Sequence, residues 1–358
     1  MAGFARQFAA PVDGAQRGAQ LQTNEPGKER IIAMRVVIIG GSGHIGTYLI
    51  PRLAAAGYDI INVSRGQRAP YQQHAAWQAV RHVTLDRSML EAEGSFGQQI
   101  RDLAPDIVID LICFTLASAR HLTQALHGGI QLLIHCGTIW VHGPSSIVPA
   151  TEDLPRHPFG EYGIQKAAIE AYLLDHARRS GFPATIVHPG HIVGPGWAPL
   201  NPAGHFNPEV FIRLARGEPL ALPNLGMETV HHVHADDVAQ WIIGAIEQRA
   251  SSIGEVFNTV SSHALSLRGY AEAMYRWFGY EPRLSFAPFD EWKLGISESD
   301  AHSSWGHIMR SSCISIEKSR QRLGYNPRFS SLEAIHQSVT ALIASGRVAA
   351  PENHSLRG

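Results

Sequence analysis

Residues 35–46 read RVVIIGGSGHIG, from Arg35 to Gly46. Val36, Val37, Ile38 and Ile39 are four consecutive β-branched apolar residues, which suit a strand buried on both faces. Glycines follow at once. Residues 44–56 then carry a helical pattern, with Pro51 placed at a kink or in the first turn. A strand that turns directly into a helix needs a tight turn. It also presents the N–H groups of the helix N-terminus, which an anion can reach only where side chains are missing. Gly40, Gly43 and Gly46 meet both needs. With His44 and Ile45 they form the expected cradle for the pyrophosphate of a dinucleotide.

Working outward, apolar β-rich runs recur at 58–63, 80–85, 106–112, 130–136 and 184–188, with helical stretches between them that include 115–127 and 163–180. Parallel neighbours need a crossover, so this alternation predicts an α/β fold with a doubly wound parallel Rossmann sheet. After Pro189 the pattern changes, and Pro and Gly are frequent as far as residue 226. Helical stretches follow near 206–216 and 235–248. This region is read as a smaller C-terminal substrate-binding lobe, with a strand or two returning to the main sheet. The expected division is 1–33 a disordered N-terminal extension, 34–188 the dinucleotide-binding domain, and 189–358 mainly the lobe. Met34, directly before the first strand, is expected as the natural start.

The bulk numbers narrow the function classes. A chain of 358 residues with 44% hydrophobic content can bury a substantial core. A formal net charge of −1 disfavours a broad nucleic-acid surface. Cys113, Cys136 and Cys313 are too widely spaced for a disulfide framework or a zinc site and suit a reducing compartment. The first two fall in apolar runs and are read as buried, inert thiols. No run approaches the ~18 apolar residues of a membrane span. A cytoplasmic location is expected. His231, His232 and His234 invite a metal reading, because alternate residues of a strand share a face. No acidic or cysteine partner accompanies them at a ligand spacing, so no metal is expected.

Two further stretches carry chemistry. The second strand ends Asn62-Val63-Ser64-Arg65-Gly66, without the acid that would bind the ribose hydroxyls of NAD. Ser64 and Arg65, with Arg68 nearby, suit a 2′-phosphate, so NADP(H) is favoured and NAD(H) is the alternative. Tyr162 and Lys166 stand four apart in a helical stretch and therefore share a face. A free phenol near pKa 10 is a poor acid-base group at neutral pH, and an adjacent cation favours its phenolate.

These stretches, in this order, resemble the extended short-chain dehydrogenase/reductase family over roughly residues 35–330. The spacing of Gly40, Gly43 and Gly46 matches its glycine motif, and Asp86 matches its aspartate near the adenine. Residues 135–144 resemble the segment that holds a catalytic Ser or Thr, with Thr138 in that place. Residues 188–196 resemble its Arg-Pro block with His188 in place of the arginine, and residues 231–239 a later block containing His232. The resemblance implies that Tyr162 exchanges a proton with a substrate oxygen, that Lys166 lowers the phenol pKa, and that Thr138 shares the oxygen's charge. Asp86, Tyr162, Lys166 and His188 are then cofactor contacts, and Trp140, His191, Trp197, His232 and Arg310 face the substrate.

Ile139 and Trp140 follow Thr138 where sugar dehydratases carry an acid, which disfavours dehydration. Val230 stands where nucleotide-sugar enzymes carry an arginine. The expected function is therefore NAD(P)-dependent oxidoreductase or epimerase-type chemistry on a compact polyhydroxylated or carbonyl substrate. A nucleotide-sugar epimerase is the alternative. A non-catalytic NADP-sensing or RNA-binding relative is a further one, and the retained Tyr162 and Lys166 weigh against it. The expected partners are a small-molecule substrate and a second copy of the chain, with no nucleic acid and no membrane.

Overall fold

The computed structural model describes residues 19–22 and 30–349. Ala19–Gln22 pairs antiparallel with Arg30–Ala33. The rest of the expected extension lies outside the described residues.

The central sheet has seven strands. They are β1 (Arg35–Ile39), β2 (Asp59–Ser64), β3 (Arg81–Thr84), β4 (Ile107–Asp110), β5 (Leu132–Cys136), β6 (Ala184–Pro189) and β7 (Val256–Thr259). All pairs are parallel, in the order β7-β6-β5-β4-β1-β2-β3. The sheet is thus the doubly wound one read from the sequence. Strand order reverses between β1 and β4, and the crevice at such a point is where open α/β sheets bind ligands.

Successive residues of β1 bury opposite faces. Val36 and Ile38 join a core with Leu49, Leu53, Val238, Trp241, Ile242 and Phe257. Val37 and Ile39 join another with Phe96, Ile100, Leu122, Ile169 and Leu173. The first of these draws on both sides of the expected division at residue 188. Helix Ala235–Glu247 packs on helix His44–Ala55, and β7 pairs with β6, so the chain returns to the Rossmann layers after building part of the lobe. Ile316, Leu323 and Tyr325 belong to the same core. The reason is geometric: a parallel sheet must be covered on both faces, and residues 34–188 cover one of them only in part, through helix His44–Ala55.

The lobe has its own core of Leu200, Phe211, Leu222, Tyr270, Met274 and Val339. It meets the crevice through His191–Val193, paired in parallel with His232–His234. Among the described residues no helix is long and apolar enough to cross a membrane.

A fragment of residues 34–188 leaves Val36, Ile38 and Leu49 without the helix that covers them. We expect it to show no cooperative urea transition by circular dichroism, whereas the full chain does. A cooperative transition would place the domain boundary at residue 188 after all.

Candidate active site

Two glycines of the turn have no room for a side chain. Gly40 has φ +87°, and a Cβ there would lie 2.6 Å from Ile112 Cγ2. A Cβ on Gly46 would lie 1.9 Å from the Gly41 carbonyl oxygen. Buried Asn62 pins the turn from β2, its Nδ2 donating to Ser42 Oγ at 3.0 Å. Helix His44–Ala55 starts without a side-chain cap on Gly43 and without an acid in its first turn. Its positive end is left for an anion.

Two cavities share Gly40, Gly43, Ile112 and Phe114. The smaller, about 390 Å³, is lined by Ser64, Arg65, Arg68 and Asp86. Arg65 and Arg68 are exposed at its edge. Asp86 also caps helix Arg87–Ala92, accepting from the Ser88 and Met89 N–H groups. The larger, about 550 Å³, is lined by His44, Ile45, Thr138, Tyr162, Lys166, His191 and Trp197. Arg65, the glycine turn, Tyr162 and Lys166 line this pair and are the residues that would hold the dinucleotide of an NAD-dependent enzyme.

Tyr162 lies in the first turn of helix Gly160–Ser180, with Lys166 one turn on. The Lys166 ammonium is buried and donates to the carbonyl oxygens of Cys113 at 2.7 Å and Cys136 at 2.6 Å. An ammonium has three donors, so one remains for a ligand. Burial pushes the Tyr162 phenol up to about 12, with a further push from Cys136, while the Thr138 hydroxyl beside it works the other way. Lys166 Nζ lies 5.8 Å from the Tyr162 ring centroid, held there by its two carbonyl partners. Thr138 Oγ1 accepts from the Trp140 N–H at 3.3 Å, which leaves the hydroxyl proton for a substrate oxygen. Burial also pushes the Cys113 thiol up to about 12, which makes it inert at neutral pH.

Behind Thr138 runs a buried polar chain. The Thr138 N–H donates to His188 Nδ1 at 2.9 Å, and His188 Nε2 lies 2.8 Å from Glu170 Oε2. Arg156 Nε donates to Glu170 Oε1 at 2.9 Å. Burial alone would raise the Glu170 carboxyl, but His188 and Arg156 outweigh it and hold the group down at about 2.

Residues 36–259 match the model of the NAD-dependent epimerase/dehydratase family, well over half of the chain. The chain belongs to that family. Among its relatives, 2'-dehydrokanamycin reductase of Streptomyces kanamyceticus is 27% identical over 267 residues, covering 74% of this chain and 72% of the relative. The chloroplast stem-loop binding protein of 41 kDa b of Arabidopsis thaliana is 24% identical over 322 residues, covering 85% and 78%. The structure of UDP-glucose 4-epimerase from Thermotoga maritima, with UDP-glucose, superposes with a TM-score of 0.68 at 20% identity. That match covers 87% of this chain and 99% of the epimerase.

Within this family fold, several expected site residues occupy other places. His188 does not line either cavity, because it is wholly buried and both ring nitrogens are taken by Thr138 and Glu170. His232 is also wholly buried, with Nε2 on the Leu200 carbonyl, and stands behind His191 with ring centroids 5.7 Å apart. Arg310 is swallowed: its guanidinium lies 3.6 Å from the Trp140 ring centroid and 3.8 Å from that of Phe159, and it donates to the Gly306 and Phe159 carbonyls. Trp140 is therefore a wall between Arg310 and Tyr162, outside the cavity lining. His191 and Trp197 do line it. Trp197 stacks on His44 at 3.8 Å, and burial, aided by Arg68, pushes that imidazole down to about 4. Phe114, Phe206, Arg156 and Glu170 were missed by the sequence reading. Glu170 had a signal: it lies four residues after Lys166, one turn along the same helix.

The low Glu170 carboxyl makes stability depend on pH. The folded value lies below the ordinary 4.5, so its contribution is complete above that pH and lost as pH falls toward about 2. Glu170→Gln should destabilise the fold at pH 7 and flatten the acid decline below pH 4.5. Urea unfolding of both proteins between pH 7 and pH 3 checks this. Parallel declines would show that the carboxylate is not the group responsible.

Proposed function

We propose that this chain is an NADP(H)-preferring oxidoreductase acting on a compact, neutral carbonyl or polyhydroxylated compound. The observation that carries the reading is the larger cavity. Among the described residues its lining includes Thr138 and Tyr162 but no arginine, aspartate or glutamate. A sugar diphosphate needs a cation and a polyamine needs an anion, and this wall offers neither beyond the carbonyl-bound Lys166. The resemblance to UDP-glucose 4-epimerase supports hydride chemistry on a sugar-like carbon. The resemblance to 2'-dehydrokanamycin reductase supports reduction of a ketone.

The cofactor, when bound, supplies or takes the hydride at nicotinamide C4. The protein's part follows from its own groups. Lys166, fixed by the Cys113 and Cys136 carbonyls, has one N–H left that would hold the nicotinamide ribose. Thr138 donates its hydroxyl proton to the carbonyl oxygen and polarises it. Tyr162, protonated at neutral pH, would give its proton to the oxygen as charge develops there. Phe114, Trp197 and Phe206 give the same space apolar walls.

The test is NADPH oxidation by the purified protein against a panel of ketones, aldoses and ketoses, with Tyr162→Phe as the control. We expect turnover on at least one neutral carbonyl and a loss of about 100-fold or more in the variant, with NADPH binding retained. Micromolar calorimetric binding of a UDP-, GDP- or dTDP-sugar would overturn this substrate class and favour the nucleotide-sugar epimerase.

Cofactor choice is separately testable. Arg65 stands exposed at the adenosine end beside Ser64, where a 2′-phosphate would lie. NADPH should bind more tightly than NADH, and Arg65→Ala should weaken NADPH about 10-fold or more while leaving NADH nearly unchanged. Equal wild-type affinities in a fluorescence titration would remove the preference.

A further inference from the structure

The chain from Arg156 to Thr138 has a direction set by chemistry. A backbone N–H can only donate, so His188 Nδ1 must be the acceptor from Thr138. The proton of a neutral imidazole then sits on Nε2, where it is donated to Glu170, which can only accept. Glu170 is held in turn by Arg156, whose Nη1 also donates to the Leu154 carbonyl at 2.8 Å. The close approach requires Gly137: a Cβ there would lie 2.4 Å from His188 Nδ1. Thr138, Glu170 and His188 are all buried, so no water competes for these bonds.

The neighbouring peptide is pinned from the opposite side, since Lys166 Nζ donates to the Cys136 carbonyl. Lys166 and Glu170 lie one turn apart on helix Gly160–Ser180, which also carries Tyr162. That helix holds two of the reacting side chains itself and reaches the third through a histidine.

We propose that His188 is a positioning residue whose Nδ1 lone pair, oriented by Glu170, fixes the Thr138 backbone so that its hydroxyl meets the substrate oxygen. The proposal rests on the reductase reading for what Thr138 does, and concerns residues outside the cavity lining. An arginine in place of His188 would still donate to Glu170 but has no lone pair for the Thr138 N–H.

Two substitutions smaller than histidine separate the two contacts. His188→Asn places its amide oxygen near the Nδ1 position and keeps an acceptor for Thr138. His188→Gln reaches the Nε2 position and keeps the Glu170 contact instead. The first measurement is hydrogen exchange at the Thr138 amide, which needs no substrate. We expect slow exchange in the wild type and in His188→Asn, and exchange accelerated about 10-fold or more in His188→Gln. The second is kcat with a carbonyl identified by the screen. It should stay within about 3-fold in His188→Asn and fall about 10-fold or more in His188→Gln, with the KM for NADPH unchanged in both.

Fast Thr138 exchange in the wild type would overturn the proposal, as would equal kcat in the two variants or a larger loss in His188→Asn. A carbonyl panel that yields no turnover would count against the reductase reading, and Thr138 exchange would still decide the His188 contact.

Discussion

A parallel sheet cannot leave either face to water, and most of this architecture follows from that constraint. Its strands carry apolar residues on both sides, so two layers of helices must cover them. Residues 34–188 provide six strands and one complete helical layer. The other layer needs helix Ala235–Glu247 and the segment around Ile316–Tyr325, which lie far along the chain. The lobe is thereby tied at both ends to the sheet it faces. Arg52 donates twice to Asp236, and Arg328 donates to the same carboxylate, across that junction. Substrate and cofactor surfaces are consequently tied together across that junction.

The same dryness sets the electrostatics of the cleft. His44, His191, His232 and His307 are all pushed below the ordinary imidazole range, with burial the leading cause in each. They act at neutral pH as uncharged hydrogen-bonding and stacking groups. The Tyr162 phenol is shifted upward for the same reason. Against this stands Glu170, whose two cationic or proton-donating partners outweigh burial and keep it ionised. The cleft thus has a neutral wall toward the substrate and a charged strut behind Thr138.

Arg310 shows how a buried cation can be satisfied without a carboxylate. Two aromatic faces and two carbonyl oxygens surround it, and burial pushes its pKa down to about 10. Its work is to brace Trp140, which stands edge-on to Tyr162. A charge that the sequence places near the substrate is in this way withdrawn from it.

The sequence by itself determined the glycine turn, the parallel sheet and the Tyr162–Lys166 pair. Each depends on short-range geometry: a steric limit at a turn, a run of β-branched residues, or a spacing of four on a helix. Side chains distant in the chain were another matter. His188 and His232 fall in motif segments and Arg310 was expected at the substrate, yet all three turn away from the cavity. Whether a side chain faces a cleft or a core depends on what packs behind it, and that comes from elsewhere in the chain. Arg156, Glu170 and His188 meet only when β5, β6 and helix Gly160–Ser180 are assembled. Tertiary structure alone decided that Thr138 is held by an imidazole lone pair, because that contact spans fifty residues and requires a neighbour without a side chain at Gly137.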